Sequence, residues 1–151
     1  MCRLELHPGN YSLFDRQQVA SGACSESDIA CYVMCRVIGS RPDGSVLVDG
    51  GGMALHKDSG GKGVSGWGAV LGDPELEIVS VSQEVAVLKP RESALGGSAR
   101  RRYELGDPVR ILPNHSCMAA AQHPEFHFVE SAPAPGDDPE IVASCKPAKF
   151  W

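Results

Sequence analysis

Short apolar runs separated by glycine, proline and aspartate dominate the pattern along this chain. Residues 29–39 (IACYVMCRVIG) are apolar and rich in β-branched types, and a second apolar run begins at Val46. The Pro-Asp-Gly sequence between them, in residues 40–45, favours a tight turn. These features predict an antiparallel hairpin. Residues 76–88 (LEIVSVSQEVAVL) predict a further long strand, or two strands.

The C-terminal half continues this pattern of short elements. The sequence ELGDPVRIL predicts a tight turn that leads into a strand at Val109 to Leu112, and FHFVE and EIVASC predict two more short strands. Residues 115–122 favour a short helix, with Asn114 or Ser116 as its N-cap, and residues 92–102 favour a loop. Together with 17 glycines and 11 prolines, the pattern predicts a mainly antiparallel, all-β domain with one or two short helices.

The N-terminal segment LELHPGNYSLFD does not fit this scheme. It runs from a strand-like start into a Pro-Gly break, and no neighbouring run could pair with it. We therefore expect this segment to be the end of a larger structure.

Composition narrows the class of protein. A chain of 151 residues is long enough for one domain with a real core, and the net charge of −5 argues against a nucleic-acid surface. The basic run Arg100–Arg102 is expected to be an exposed loop. The chain shows neither a membrane-spanning run nor the apolar core of a signal peptide, so we expect a cytoplasmic protein. Its six cysteines are then expected to be reduced thiols, with Cys31 and Cys35 as small core residues on a strand.

Candidate chemistry centres on His115 and Cys117. In an extended segment, side chains two residues apart project to the same side, and an imidazole nitrogen with a thiolate sulfur is a zinc-like pair. The alternative is a loop histidine and a buried cysteine without a metal. His123 and His127 could also complete a closed, four-ligand structural site.

Two glycine-containing segments could bind an anion. Residues 48–63 (VDGGGMALHKDSGGKG) lack the spacing of a phosphate-binding P-loop and do not open an evident helix, which favours a tightly turned β connection. The sequence HPGNY, residues 7–11, offers free backbone N–H groups after its Pro-Gly turn, and such turns can hold an anion.

Taken together, ELHPGNYSLFD, VLVDGGGMALHKDSG, SQEVAVL and LPNHSCMAAAQ resemble one family in sequence and order. They are similar to the C-terminal part of eukaryotic-type D-serine dehydratases and of D-threonine aldolases, which are alanine-racemase-like, fold-type III pyridoxal-phosphate enzymes. The resemblance covers nearly the whole chain. It implies that residues 1–22 are a remnant of the last strand and exit turn of a (β/α)8 barrel. It also implies that residues 23–151 form the β-domain, which is barrel-like.

The same resemblance implies a set of roles. Gly9, Asn10 and Tyr11 would lie at the phosphate of pyridoxal phosphate if a barrel completed that site. His115 and Cys117 match the family's zinc pair, which engages the hydroxyl of D-serine, or of a related D-3-hydroxy amino acid, during elimination to pyruvate and ammonia. A homodimer or a barrel-domain partner is also implied, whereas a nucleic-acid or membrane partner is not.

The chain departs from the family in three places, one of which is its C-terminal CKPAKFW, which only loosely resembles the family's end. No lysine matches the Schiff-base lysine, so no catalytic residue is assigned, and Glu84-Val85-Ala86 stands where the family has Glu-His-Gly. We therefore expect the isolated chain to be an inactive, truncated part of a lyase. Two alternatives are a stand-alone zinc-binding or interaction module and a domain of a D-threonine-aldolase-like lyase. Cys117 favours the dehydratase, because the aldolases tend to have a carboxylate there.

Overall fold

Short strands predominate in the computed structural model, which describes residues 3–5, 9–59, 61, 63–91, 103–130 and 137–148. Within these residues the strands are β1 (Val33–Ser40), β2 (Val46–Val48), β3 (Ala69–Val70), β4 (Leu76–Val81), β5 (Ala86–Pro90), β6 (Pro108–Leu112), β7 (Phe126–Val129) and β8 (Ile141–Cys145). The helices are α1 (Arg16–Ala20), α2 (Gly52–Leu55) and α3 (Ser116–Ala120), with 3-10 turns at Asn10–Ser12 and Glu26–Asp28. The predicted all-β class with short helices is confirmed.

Six strands form one antiparallel sheet in the order β3-β6-β1-β2-β5-β4. Its two end strands, β3 and β4, lie against each other, so the sheet is a nearly closed barrel. Gly68, just before β3, permits this approach: its φ is +149°, and a Cβ there would lie 2.8 Å from Ile111 Cγ2 and 3.3 Å from Ile78 Cδ1. The barrel therefore closes across a position that has no room for a side chain.

The predicted hairpins are present. β1 pairs with β2 through Val37↔Val48 and Ser40↔Val46, on either side of the Pro-Asp-Gly turn. Residues 76–88 contain two strands, since β4 and β5 pair antiparallel across a turn at residues 82–85. β6 begins one residue before the predicted Val109 and ends at Leu112 as predicted.

The interior of the barrel holds the apolar side chains that alternate along each strand. β1 shows this alternation clearly, because Val33, Cys35 and Val37 are buried and the residues between them are more exposed. The barrel core also contains Val48, Ile78, Leu88, Val109 and Ile111, all at most 2% exposed. Removing such apolar surface from water is the main stabilising contribution to a domain of this size. Cys35 lies in this core, as predicted, whereas the prediction for Cys31 is wrong, because Cys31 precedes β1 and is only partly buried.

The β7–β8 hairpin stands apart from the six-stranded sheet. A cleft of about 850 Å³ lies between this hairpin and the outer face of β1, lined by Tyr32, Met34 and Phe126 among others. An ion pair between Arg36 and Asp138 links the two sides. Every residue of β8 is exposed, and Phe128 of β7 is 51% exposed.

Helices are present in the N-terminal segment and in the glycine-rich segment. Among the described residues up to position 22, no strand is present, and α1 occupies part of the segment expected to be a barrel strand and exit turn. The glycine-rich segment does open a helix, α2, which the sequence did not indicate. Gly51 precedes α2 because the β4–β5 turn approaches it closely: a Cβ there would lie 2.5 Å from the backbone of Glu84 and Val85. Residues 92–102, including Arg100–Arg102, lie outside the described residues.

No helix in the described part of the chain combines the length and the apolar character needed to cross a bilayer. The described cysteines, which exclude Cys2, form no disulfide with one another.

Candidate metal centre

The carboxylate of Asp15 joins the N-terminal segment to the segment that contains His115 and Cys117. Its Oδ1 accepts a hydrogen bond from the Gln18 amide at 2.9 Å, so Asp15 is the N-cap of α1. Its Oδ2 accepts from the Ser116 amide at 3.0 Å, and this amide begins α3. Asp15 is fully buried. One carboxylate therefore satisfies amide groups in the first turns of two helices, where no intrahelical partner exists.

This bond corrects the predicted cap of α3. The N-cap position is His115, not Asn114 or Ser116, and its side chain makes no capping hydrogen bond. His115 is extended, with φ −134° and ψ 104°, while Ser116 and Cys117 are helical. The prediction that His115 and Cys117 lie in one extended segment is therefore wrong, because only His115 is extended. The two side chains leave the backbone at the junction between an extended residue and the first turn of a helix.

Asn10 directly contacts the segment that contains the two predicted metal ligands. Its side-chain amide donates to Asp15 Oδ2, and its Oδ1 accepts from the Ser116 hydroxyl. The thiol of Cys117 donates to the same Oδ1 over 3.6 Å. One of the three residues expected near a cofactor phosphate thus lies beside one of the two expected metal ligands.

His115 lies against Asp58, from the segment after α2. The distance from His115 Nδ1 to Asp58 Oδ2 is 3.5 Å, and the two side chains are 30% and 28% exposed. Gln17 of α1 donates to the same Oδ2 at 2.9 Å. Asp58 therefore makes polar contacts with both the N-terminal helix and the predicted ligand.

Asn114 fixes the backbone on which His115 stands. Its Nδ2 donates to the carbonyls of Asp58 at 2.8 Å and Gly66 at 2.7 Å, and its Oδ1 accepts from Arg16. Asn114 is 2% exposed, so these bonds are made out of water, where losing them would be costly. The short stretch 114–117 is consequently held by contacts from three separate parts of the chain.

The donors at this site suit a zinc-type ion. His115 offers an imidazole nitrogen and Cys117 an exposed thiol, which are the ligand types that zinc prefers. The described ranges contain no group of three or more His, Cys, Asp or Glu side chains placed to hold one ion. A closed four-ligand site with His123 and His127 is not formed, because His123 contacts the Ala54 carbonyl at 3.0 Å and His127 the Ser144 hydroxyl at 2.7 Å.

A second thiol, that of Cys31, lies near the first. Burial raises the pKa of Cys31 from 9.0 to about 11, the charges of Asp15 and Cys117 add to the effect, and a hydrogen bond with Ser116 opposes it. Cys31 is therefore a neutral thiol at physiological pH. Its burial makes the thiolate unfavourable, so Cys31 is a poor metal ligand. It precedes β1 and also lines the cleft beneath β7 and β8.

The predicted phosphate residues occupy the 3-10 turn at Asn10–Ser12 and the residue before it. Gly9 is exposed and has no atoms within 4 Å of an added Cβ, and Tyr11 is 66% exposed. Peptide N–H groups at the start of a helical turn have no intrahelical partner, so these groups and the Tyr11 hydroxyl suit a phosphate. The Asn10 side chain is already engaged by Asp15 and Ser116, so only its backbone is available for such a contact.

A family model, curated relatives and solved structures all relate this chain to the same family. The family model described as "Putative serine dehydratase domain" matches residues 30–129. The chain belongs to this family. D-serine dehydratase of Dictyostelium discoideum is 35% identical over 155 residues, covering 97% of this chain and 37% of that protein. The chain thus spans little more than a third of the length of that relative.

Two solved structures support the same assignment. D-threo-3-hydroxyaspartate dehydratase from Delftia sp. HT23 has a TM-score of 0.67 and 31% identity, over 78% of this chain and 33% of that one. A cysteine-to-alanine variant of an enzyme of that name, in a metal-free form, has a TM-score of 0.73 and 28% identity, over 92% and 37% of the two chains. The predicted match to the C-terminal β-domain of the D-serine dehydratase family is confirmed.

Three residues that organise the site were not predicted from the sequence: Asp15, Gln17 and Asp58. Asn114 was predicted only as a possible helix cap. For Asp15 a signal was available, because aspartate before RQQVA is a typical helix N-cap. Asp58 and Gln17 carried no such signal, since their roles depend on contacts across 41 residues or more. Only the fold identifies them.

Proposed function

We propose that this chain is the β-domain of a lyase that eliminates water from D-serine or a related D-3-hydroxy amino acid. With D-serine the products would be pyruvate and ammonia. The family membership and the names of the relatives support the reaction class. The observation that carries the proposal is the placement of His115 and Cys117 at one helix start, where Asp15 accepts from the Ser116 amide between them and Asp58 contacts His115.

His115 and Cys117 would hold zinc. Bound zinc supplies Lewis-acid assistance to the departing hydroxyl of the substrate. Cys117 is exposed, so its proton can pass to solvent when the thiolate forms. His115 would bind through a neutral ring nitrogen. Two protein donors leave coordination positions open, which is the arrangement of a catalytic zinc site and not of a structural one.

Gly9, Asn10 and Tyr11 would contact the phosphate of pyridoxal phosphate when a barrel domain provides the rest of that site. The cofactor supplies an electron sink for the substrate carbanion. This chain would contribute backbone N–H groups and the Tyr11 hydroxyl. None of its lysines matches the family's Schiff-base position, so these 151 residues alone would not turn over substrate.

The metal assignment is tested by zinc content. The purified chain, and variants in which one candidate ligand is removed, are equilibrated with zinc and desalted, and the bound metal is measured. We expect His115→Ala and Cys117→Ala to lose zinc. The matched controls His127→Ala and Cys145→Ala, which remove an exposed histidine and an exposed cysteine, should retain it. Equal zinc content in all five proteins would overturn the metal site.

The activity proposal is tested by the same preparations. With zinc, pyridoxal phosphate and D-serine, the isolated chain should form no pyruvate. When a barrel domain from a relative is supplied, pyruvate formation should appear and should depend on His115 and Cys117. Turnover by the isolated chain would contradict the proposal, as would a complex that is active without either ligand.

A second candidate, an interaction module, is favoured by the β7–β8 hairpin. Phe128, Ile141 and Val142 are each more than half exposed, and an exposed apolar surface of this kind is typical of an interface. Size-exclusion chromatography separates the two candidates. A soluble monomer or homodimer with stoichiometric zinc favours the module, while aggregation that a barrel domain prevents favours the lyase domain.

A further inference from the structure

Asp58 and His115 form a carboxylate–imidazole contact that no motif of the sequence indicates. Asp58 Oδ2 lies 3.5 Å from Nδ1 of the His115 ring, with each side chain about 70% shielded from solvent. The contact uses only one of the two ring nitrogens. Nε2 is therefore left for a ligand or for solvent.

Asp58 is held in place from two directions. Gln17 Nε2 donates to Asp58 Oδ2 at 2.9 Å, and Gln17 itself is only 7% exposed. The Asp58 carbonyl accepts from Asn114 Nδ2 at 2.8 Å, and Asn114 directly precedes His115. Because both partners are buried, the carboxylate has a fixed position relative to the imidazole and does not sample the surface freely.

We propose that Asp58 is a positioning residue for His115, which sets the tautomer and the orientation of the ring. The proposal rests on the metal role proposed for His115. A carboxylate beside Nδ1 favours the tautomer with the proton on Nδ1, and this leaves the Nε2 lone pair free to bind a metal. Such an outer carboxylate also makes the imidazole a better donor, and its loss typically lowers metal affinity by about 10- to 100-fold.

The physical reason for this arrangement lies in the small number of donors. With two protein ligands, a site gains little from chelation and depends on having both donors already oriented. Cys117 is oriented by the helix start that Asp15 caps. His115 is outside the helix, so its ring needs a separate restraint, and Asp58 is the carboxylate that faces it.

The tautomer test needs no metal. In two-dimensional ¹H–¹⁵N spectra of the imidazole groups, His115 in the wild-type chain should show the form with its proton on Nδ1, at a pH where the ring is neutral. Asp58→Ala should shift this ring towards the Nε2–H form. Asp137→Asn, a matched loss of one exposed carboxylate elsewhere in the chain, should leave the spectrum unchanged.

The affinity test uses zinc in competition with a chromophoric chelator, and cobalt absorption as a second readout. Asp58→Ala should weaken zinc binding by about 10- to 100-fold, and Asp58→Asn, which keeps an acceptor oxygen but no charge, by less. Asp58→Glu should recover part of the loss. The thiolate-to-cobalt absorption from Cys117 should persist in each variant, while circular dichroism shows that the fold is retained.

The outcomes separate this inference from the proposed function. If wild-type binds zinc and His115→Ala does not, but Asp58→Ala matches wild-type in affinity and tautomer, the role of Asp58 is wrong and the metal site stands. If Asp58→Ala loses as much affinity as His115→Ala, Asp58 is itself a ligand, and the positioning role is again wrong. If the wild-type chain binds no zinc, both the metal site and the role of Asp58 towards it fail.

Discussion

Removal of the Asp15 carboxylate should destabilise the whole domain, although the residue lies outside the barrel core. Asp15→Ala removes the acceptor for the Gln18 amide, the Ser116 amide and the Asn10 side chain. Loss of an N-cap costs about 1 kcal/mol. An amide left buried without a partner, as at Ser116, costs about 1–3 kcal/mol more. The Asn10 amide is only partly buried and can find water, so it adds little.

The sum is about 2–4 kcal/mol, which is a large share of the roughly 5–15 kcal/mol that stabilises an ordinary domain. Urea unfolding followed by circular dichroism measures it. With an m-value of about 2 kcal/mol/M, the midpoint should fall by about 1–2 M at an unchanged slope. Asp15→Asn keeps the shape of the side chain but turns one acceptor oxygen into a donor. It should therefore lower the free energy of unfolding by nearly as much as Asp15→Ala.

Asp28 provides the matched control. Its carboxylate also accepts two hydrogen bonds at the start of a helical turn, from the amide and the hydroxyl of Ser25, but it is exposed to solvent. Water can replace both bonds, so Asp28→Ala should shift the midpoint far less than Asp15→Ala. Equal shifts for the two variants would refute the argument that burial of the shared carboxylate sets the size of the effect.

Two further predictions concern the barrel. Gly51→Ala should destabilise the domain by about 1–3 kcal/mol, because the new Cβ would overlap the backbone at Glu84 and Val85; in thermal unfolding Gly39→Ala, which meets no atom within 4 Å, should cost much less. Burial, with the charge of Asp49, raises the pKa of Cys35 from 9.0 to about 12. As the pH rises, this thiol ionises first in the unfolded chain. The free energy of unfolding should therefore fall between about pH 9 and pH 12. Urea unfolding at about pH 8 and pH 10.5 measures this fall, which Cys35→Ala should remove and Cys145→Ala should not. If Cys35→Ala loses as much stability between the two pH values as the wild-type chain, Cys35 is not the source of the pH dependence.

The strands could be predicted from the sequence because their determinants are local. Pro-Asp-Gly defines the β1–β2 turn, where Gly44 has a φ of +80°, and the alternation of apolar residues defines which face of β1 is buried. The same holds for β6, which the Gly-Asp-Pro turn introduces. In each case a few adjacent residues contain the information that selects the conformation.

The helices could not be predicted as well, since they are short and depend on distant groups. α1 and α3 have five residues each, too few for a helical periodicity to be visible. The acceptor at the start of α3 comes from Asp15, 101 positions earlier in the chain. Similarly, α2 begins where it does because the β4–β5 turn packs on Gly51.

For the candidate site, the ligand types could be predicted but their surroundings could not. His115 and Cys117 stand out by chemistry and by family resemblance. Asp58 is one of many acidic residues in the sequence, and only the folded chain places it at His115. The predicted domain boundary after residue 22 likewise remains a prediction. The hydrogen bond from the Ser116 amide to Asp15 crosses this boundary.

The sharing of Asp15 by α1 and α3 has a consequence for dividing this protein into parts. A shorter chain that starts at residue 23 would retain every strand of the barrel, yet it would lose the acceptor for the Ser116 amide together with Asn10 and Gln17. The histidine and cysteine would remain in such a fragment, but the first turn of α3 would fray and the carboxylate of Asp58 would lose the hydrogen bond from Gln17. Residues 23–151 alone would therefore lack the contacts that hold the segment of His115 and Cys117. A fragment that keeps these contacts includes the barrel and at least residues 10–18.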